Sequence, residues 1–311
     1  MVDRWGRPLT TLRFNITRRC NFSCFFCHRE GEPPPWYSRR DPLTPRDYGV
    51  IAEAGLKLGV RRFKLTGGEP LVRADVVDVV RGVREYGSPE DLSMTTNGYY
   101  LPTLAPQLAD AGLDRVNVSI HSLRAPVFRE VTGVNGLDRV LEGVRAALDS
   151  GLGVKLNFVV LKGVNDSEVP DLIDLASNLG VNVQLIELQP VGLGEHVFSK
   201  YYTPLEVFME YLDRLSSNFT IRAEQHNRPT YTLNTGVRVE LVMAYNNPYF
   251  CSACNRMRVT SNGYIQPCIM NYENRVPLID ALRREGHQRE DVVSEISKRI
   301  TKANQLRKPY Y

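Results

Sequence analysis

The sequence predicts an α/β protein, a partial (βα)6 barrel followed by a C-terminal extension. Three observations carry that expectation. From Thr11 onward six short β-rich runs alternate with stretches of helical period. Several helical stretches close on a glycine, as helix C-caps do. The polar residues most suited to chemistry follow the β-rich runs directly.

The strands are "TLRFNIT" (11–17), "RRFKLTG" (61–67), "DLSMTTNG" (91–98), "RVNVSIHS" (115–122), "VKLNFVVLKG" (154–163) and "VNVQLIELQPV" (181–191). The helical stretches are "TPRDYGVIAEAGLKLG", "VVDVVRGVREYG", "LPTLAPQLADAG", "LDRVLEGVRAALDSG", "EVPDLIDLASNLG" and "PLEVFMEYLDRLSS". Parallel strands need long right-handed crossovers, so this alternation specifies a parallel sheet covered by helices. Six units are too few for the usual eight-stranded barrel, which leaves a partial barrel or a doubly wound sheet. Both bind ligands at the C-terminal strand ends. There the cysteine loop follows strand one, "TGGEP" strand two, "TTNG" strand three and "SIHS" strand four, so all four face one cavity. Near residue 220 the rhythm changes to "TYTLNTGVRVELVMAYNN", a cysteine segment and two charged helical stretches. Residues 1–220 are therefore assigned to the barrel and 221–311 to the extension.

The chain has 311 residues, 42% hydrophobic and 24% charged, the composition of a globular protein of one large or two unequal domains. No apolar run approaches the roughly 18 residues that span a bilayer, and "MVDRWGRPLTTLRF" lacks the apolar core of a signal peptide. A cytoplasmic protein with no membrane partner is expected. In a reducing compartment its six cysteines suit metal ligation or catalysis better than disulfides. The net charge, 39 − 35 = +4, does not call for nucleic acid.

In "TRRCNFSCFFCHREGE" (17–32), Cys20, Cys24 and Cys27 are spaced C-x3-C-x2-C. A C-x-x-C-H haem anchor or a C-x-x-C redox pair leaves Cys20 unexplained. Zinc could take three thiolates and His28, although adjacent Cys27 and His28 would struggle to share one ion. An iron–sulfur cube suits three thiolates on a tight loop and leaves its fourth iron open. Cys251, Cys254 and Cys268, spaced C-x2-C-x13-C, make either another cluster or a zinc site one ligand short. In Gly67-Gly68-Glu69-Pro70 the glycines allow close backbone approach, and Glu69 can pair with a cation. Arg256 and Arg258, two apart in a predicted strand, share a side. With Arg13, Lys64 and Lys155 on strands one, two and five, they give one barrel several basic residues, which implies a polyanionic ligand.

The first cysteine spacing, with aromatic Phe26 before the third cysteine, and the Gly-Gly-Glu-Pro motif resemble the radical S-adenosylmethionine (SAM) superfamily. With the second triplet and "CNRMR", nearly the whole chain resembles the GTP 3′,8-cyclase family of molybdenum cofactor biosynthesis. The resemblance implies two [4Fe-4S] clusters, the first on Cys20, Cys24 and Cys27 cleaving SAM, the second on Cys251, Cys254 and Cys268 holding the guanine end of GTP. It implies SAM contacts at Phe26, Gly67, Gly68, Glu69, Thr95 or Thr96, Asn97 and Ser119. It places GTP against Arg13, Lys64, Lys155, Arg256 and Arg258, and counts Arg256, Arg258 and Lys155 as catalytic.

A flavodoxin- or ferredoxin-type electron donor and a downstream cyclic pyranopterin monophosphate synthase are the implied partners, and residues 276–303 suit either a homodimer contact or barrel cover. Three features depart from the family: Arg18 stands where an acidic residue is common, Gln189 where a methionine meets adenine, and the chain ends "QLRKPYY" rather than in a Gly-Gly tail. A radical SAM enzyme acting on a peptide, or a non-enzymatic zinc-stabilised nucleotide-binding module, are the alternatives.

Overall fold

The structure, a computed structural model, describes residues 1–32, 41–271, 273–284, 286 and 288–309. Six parallel strands follow one another in sequence order: β1 (Thr11–Asn15), β2 (Arg62–Thr66), β3 (Asp91–Thr96), β4 (Arg115–Ser119), β5 (Gly153–Val160) and β6 (Asn182–Glu187). A doubly wound sheet would reverse its strand order part-way, and this one does not. Right-handed crossovers then land every helix on the same face, the winding of a TIM-like fold. The connecting helices are α1 (Pro45–Lys57), α2 (Val76–Glu85), α3 (Leu101–Asp110), α4 (Ala125–Thr132), α5 (Leu137–Asp149) and α6 (Val169–Leu179).

Residues beyond 220 extend the same sheet at both edges. After α7 (Gly194–Tyr201) and α8 (Met209–Leu215), the antiparallel hairpin β7 (Ser216–Arg222) and β8 (Arg228–Leu233) leads to β9 (Arg238–Val242), which joins β6 in parallel. Past α9 (Pro248–Ser252), β10 (Arg256–Val259) joins β1 in parallel. The strands β11 (Tyr264–Gln266) and β12 (Val276–Pro277) then run outward antiparallel, before α10 (Ile279–Leu282) and α11 (Arg289–Gln305). On α11, Arg289 meets Glu53 of α1 at 2.6 Å, so this helix packs beside α1. No helix among the described residues is long and apolar enough to cross a membrane.

Parallel strands sheathed on both sides usually read as continuous apolar runs. Here they alternate. Leu12, Phe14, Phe63, Leu65, Leu92, Met94, Val116, Leu156 and Val183 are buried apolar residues, each fully buried side chain worth about 1.5–3 kcal/mol. Between them Arg13, Lys64, Ser93, Asn117, Lys155 and Gln184 line a cavity. In register, Arg13 stands beside Lys64 and Arg258, Asn117 beside Lys155, and Gln184 beside Glu240. Charges on that face cost folding energy, so the alternation marks a ligand-binding interior.

Two elements differ from the sequence expectation. The stretch "PLEVFMEYLDRLSS" is not one helix: a 3-10 turn over Leu205–Phe208 precedes α8, and Ser216 and Ser217 open β7 because Ser216 pairs with Leu233. The helices α4 and α7 were not anticipated; both are only eight residues long, too short to show a clear apolar period.

Candidate active site

A cavity of about 770 Å³ opens along the inside of the sheet, and every residue assigned a ligand above lines it. The cysteine loop forms one end. It is pinned by Ser23 N–H to Thr132 O (2.9 Å) and by Leu193 N–H to Cys27 O (2.9 Å). Phe22 N–H points at Cys20 Sγ (3.4 Å) and Arg29 N–H at Cys27 Sγ (3.5 Å). Burial pushes the Cys20 thiol up to about 12 and the Cys24 and Cys27 thiols upward as well. Without a metal these groups stay protonated, and a bound metal would drive the protons off. Three thiols on one loop, two already facing backbone N–H groups, fit an iron–sulfur cluster.

The glycines after β2 have a steric reason visible here. A Cβ on Gly68 would fall 2.3 Å from Arg19 O and 2.6 Å from Arg18 O, and one on Gly67 would fall 2.6 Å from Thr17 O. The cysteine loop therefore crosses directly over them. Gly68→Ala should push that loop outward at about 1–3 kcal/mol and lower the iron retained per chain after reconstitution. Unchanged iron content would refute this.

Beyond the glycines, Glu69 is 1% exposed and accepts hydrogen bonds from Thr96 Oγ1 (2.6 Å), Asn97 N–H (2.6 Å) and Leu71 N–H (3.0 Å). None of these donors is charged. Burial pushes its carboxyl up to about 7, so the pocket holds a buried acid awaiting a counter-ion. Asn97 Nδ2 reaches Asn21 Oδ1 (2.8 Å), tying the "TTNG" loop to the cysteine loop. Thr95 and Ser119 line the same wall, and Phe26 stands edge-on to His121 at 4.9 Å. His121 Nδ1 accepts from Val159 N–H (3.2 Å), and burial lowers its pKa to about 4, so it is a neutral support for Phe26.

The other end is cationic. Arg13 and Arg258 each meet Glu30 at 3.3 Å, and Thr66 Oγ1 donates to it at 2.6 Å. Burial alone would raise the Glu30 carboxyl, but Arg13, His28 and Arg258 outweigh it and hold it ionised. Lys155 Nζ lies 2.6 Å from Glu240, whose pKa is held down to about 2 by Lys155 and Arg228 against the effect of burial. Among the described residues Lys64 makes no hydrogen bond or ion pair, because Asp91 holds Arg115 instead (2.6 and 2.7 Å). Burial, with Arg115 and Arg13 nearby, drives the Lys64 pKa well down. Among the described residues Arg256 has no carboxylate partner either; its Nε donates to His226 Nε2 (2.7 Å), whose ring stacks on Phe250 at 4.7 Å.

Cys251, Cys254 and Cys268 edge this cationic end. Arg7 Nη1 donates to Cys251 O (3.3 Å) and Arg307 to Cys254 O. Burial alone would raise the Cys254 thiol, but Arg307 and Arg256 outweigh it and lower it. Among the described residues no three His, Cys, Asp or Glu side chains are gathered around a metal position. Of the departures, Arg18 gives its charge to Glu32 (2.6 Å) and donates to Ser261 Oγ (3.0 Å), and Gln189 lines the cavity. Tyr310 and Tyr311 lie outside the described residues.

The sequence reading missed Glu30, Glu240, Arg222, Arg228 and His226. Only Glu240 carried a local signal, a charge alternating with valines and leucines in "VRVELVM".

Residues 14–176, more than half the chain, match the Radical SAM superfamily, and residues 181–311 match Molybdenum Cofactor Synthesis C. A Saccharolobus solfataricus protein named "Probable GTP 3′,8-cyclase" is 45% identical over 298 residues, 95% of this chain and 94% of that one. The chain belongs to the GTP 3′,8-cyclase family. A second relative of the same name, from Thermococcus kodakarensis, is 42% identical over 316 residues, 100% of this chain and 99% of its own. As a radical SAM protein, this family member takes a [4Fe-4S] cluster and SAM, which the first cysteine loop and the Glu69 pocket suit. Streptococcus suis SuiB bound to S-adenosylmethionine shares the fold at 18% identity, with a TM-score of 0.64 over 90% of this chain and 66% of SuiB. Native anSMEcpe with bound AdoMet does so at 15% identity, with a TM-score of 0.59 over 92% of this chain and 80% of that one.

Proposed function

We propose that this family member converts GTP to 3′,8-cyclo-7,8-dihydro-GTP, the first step of molybdenum cofactor biosynthesis. One observation carries the reading within the cavity: among the described residues the buried acid Glu69 has no basic partner at the cysteine-loop end, and the basic side chains Lys64 and Arg256 have no carboxylate partner at the other. That distribution suits an ammonium-bearing cofactor and a polyanionic substrate together.

Cys20, Cys24 and Cys27 would hold a [4Fe-4S] cluster, which would supply the electron for reductive cleavage of SAM and so the radical chemistry directed at the ribose C3′ of GTP. Glu69 would hold the SAM ammonium beside Gly67 and Gly68, with Thr95, Thr96, Asn97 and Ser119 at its ribose and carboxylate and Phe26 against its adenosine. Arg13, Lys64, Lys155, Arg256 and Arg258 would fix the triphosphate, setting C3′ by proximity. A second [4Fe-4S] cluster on Cys251, Cys254 and Cys268 would seat the guanine. In this reading residues 1–220 carry SAM and 221–311 the second cluster. A flavodoxin- or ferredoxin-type donor supplies the electron, and a cyclic pyranopterin monophosphate synthase takes the product.

Anaerobic reconstitution with iron and sulfide, then dithionite, SAM and GTP, should yield 5′-deoxyadenosine and cyclised GTP by mass spectrometry. SAM cleavage with no GTP product would instead transfer the reading to another substrate. A proton and the SAM ammonium compete for Glu69, so SAM affinity should fall as pH drops through about 7, by up to about tenfold per unit. Equilibrium dialysis between pH 5.5 and 8 checks this; a flat profile would remove Glu69 from the SAM site.

A further inference from the structure

The β7–β8 hairpin reaches into the cavity at a point no motif marks. Antiparallel register sets Arg222 directly opposite Arg228, and both side chains turn to one carboxylate, Glu240 on β9. Glu240 Oε1 takes Lys155 Nζ at 2.6 Å and Arg222 Nη1 at 3.2 Å. Its Oε2 takes Gln184 Nε2 at 2.7 Å and Arg228 Nη1 at 3.2 Å. Its side chain is 1% exposed and that of Arg228 8%.

Arg222 Nε also meets Glu224 at 3.0 Å, so three cations face two carboxylates, and one positive charge is left over for an outside anion. Among the described residues Arg228 Nε is also buried without any hydrogen-bond partner, a donor left open. Arg13, Arg256 and Arg228 all line the same cavity.

We propose that Glu240 is a positioning residue that gathers Lys155, Arg228 and Arg222 into a polyphosphate-binding set, and that Arg228 and Arg222 contact the phosphate tail of the substrate. The assignment rests on the nucleoside-triphosphate reading of this cavity and adds two arginines to it. In the empty cavity the carboxylate keeps the three cations converged against their mutual repulsion. When the phosphates arrive, the remaining donors of each cation turn to them, and Arg228 Nε gains its partner.

The test is equilibrium binding of GTP and of inorganic tripolyphosphate to the reconstituted full chain, with SAM binding and melting temperature as controls. Arg228→Gln and Arg222→Gln should each weaken both ligands about ten- to hundredfold, the worth of a charged hydrogen bond, with SAM binding unchanged. Arg228→Lys should recover part of the loss. Arg222 is a quarter exposed, so its variant tests the site even if Arg228→Gln does not fold.

Glu240→Gln gives opposite signs for the two roles the carboxylate could play. A positioning residue predicts weaker GTP binding and a raised KM with little change in kcat. A carboxylate that merely repels the ligand predicts tighter binding, which would overturn the proposal, as would wild-type affinity in the arginine variants. If the wild type bound tripolyphosphate but not GTP, the cyclase reading would fall and the phosphate site would stand. If it bound neither, both would fall.

Discussion

Cys24→Ala should abolish 5′-deoxyadenosine formation and cyclised GTP together, leaving a folded chain that no longer retains the first cluster's iron. A cube held by three thiolates has no spare protein ligand, so one loss removes the site rather than weakening it. The neighbouring loop cannot compensate, since its contacts through Ser23, Leu193 and Asn97 fix the backbone and supply no further thiol. Cys254→Ala should behave differently: SAM cleavage persists while cyclised GTP is lost, because the second triplet edges the cationic end of the cavity, where GTP is proposed to bind. Iron, sulfide and zinc analysis of the wild type belongs beside these assays. Zinc in place of iron, with intact SAM, would sink the radical reading in favour of a nucleotide-binding module.

Lys64→Met should weaken GTP binding by about 2–5 kcal/mol, roughly thirtyfold to several thousandfold in Kd, while raising the melting temperature of the empty protein. The two effects share one cause. The cavity disfavours the protonated amine, so its share of apo stability is lost as pH falls from the ordinary lysine range toward 7. A thioether of similar length ends that loss but offers the phosphates nothing. Calorimetric titration with GTP and thermal melts at pH 7 and 9 read both arms, and the stabilisation should shrink at pH 9. A variant that bound GTP normally would show that Lys64 faces no substrate.

Much of this architecture was legible in advance. The alternation from "TLRFNIT" to "VNVQLIELQPV" contains the six parallel strands because each local run carries both its β-branched composition and its flanking helix. The cysteine spacings and the Gly-Gly-Glu-Pro loop stood out for the same reason, all their chemistry lying within a few neighbouring residues. Pairings across long stretches of chain were not legible. Glu30 appears in "CHREGE" as an ordinary loop acid, and only the register of β10 beside β1 turns it into the clasp between Arg13 and Arg258. Glu240 likewise gains its three cations from β5, β7 and β8, elements up to 85 residues away. A helix such as α4 ends on Gly133 in the left-handed conformation, a clear stop, yet its eight residues are too few to announce a start.

The seating of β10 against β1 also sets a timetable for the newborn protein. Arg13 and Arg258 are register partners about 245 residues apart, so at ribosomal rates one waits on the order of ten to fifty seconds for the other. For most of that interval the first three thiols are already made, with one wall of their chamber still missing. The early loop is therefore enclosed only once β10 has been made and seated against β1.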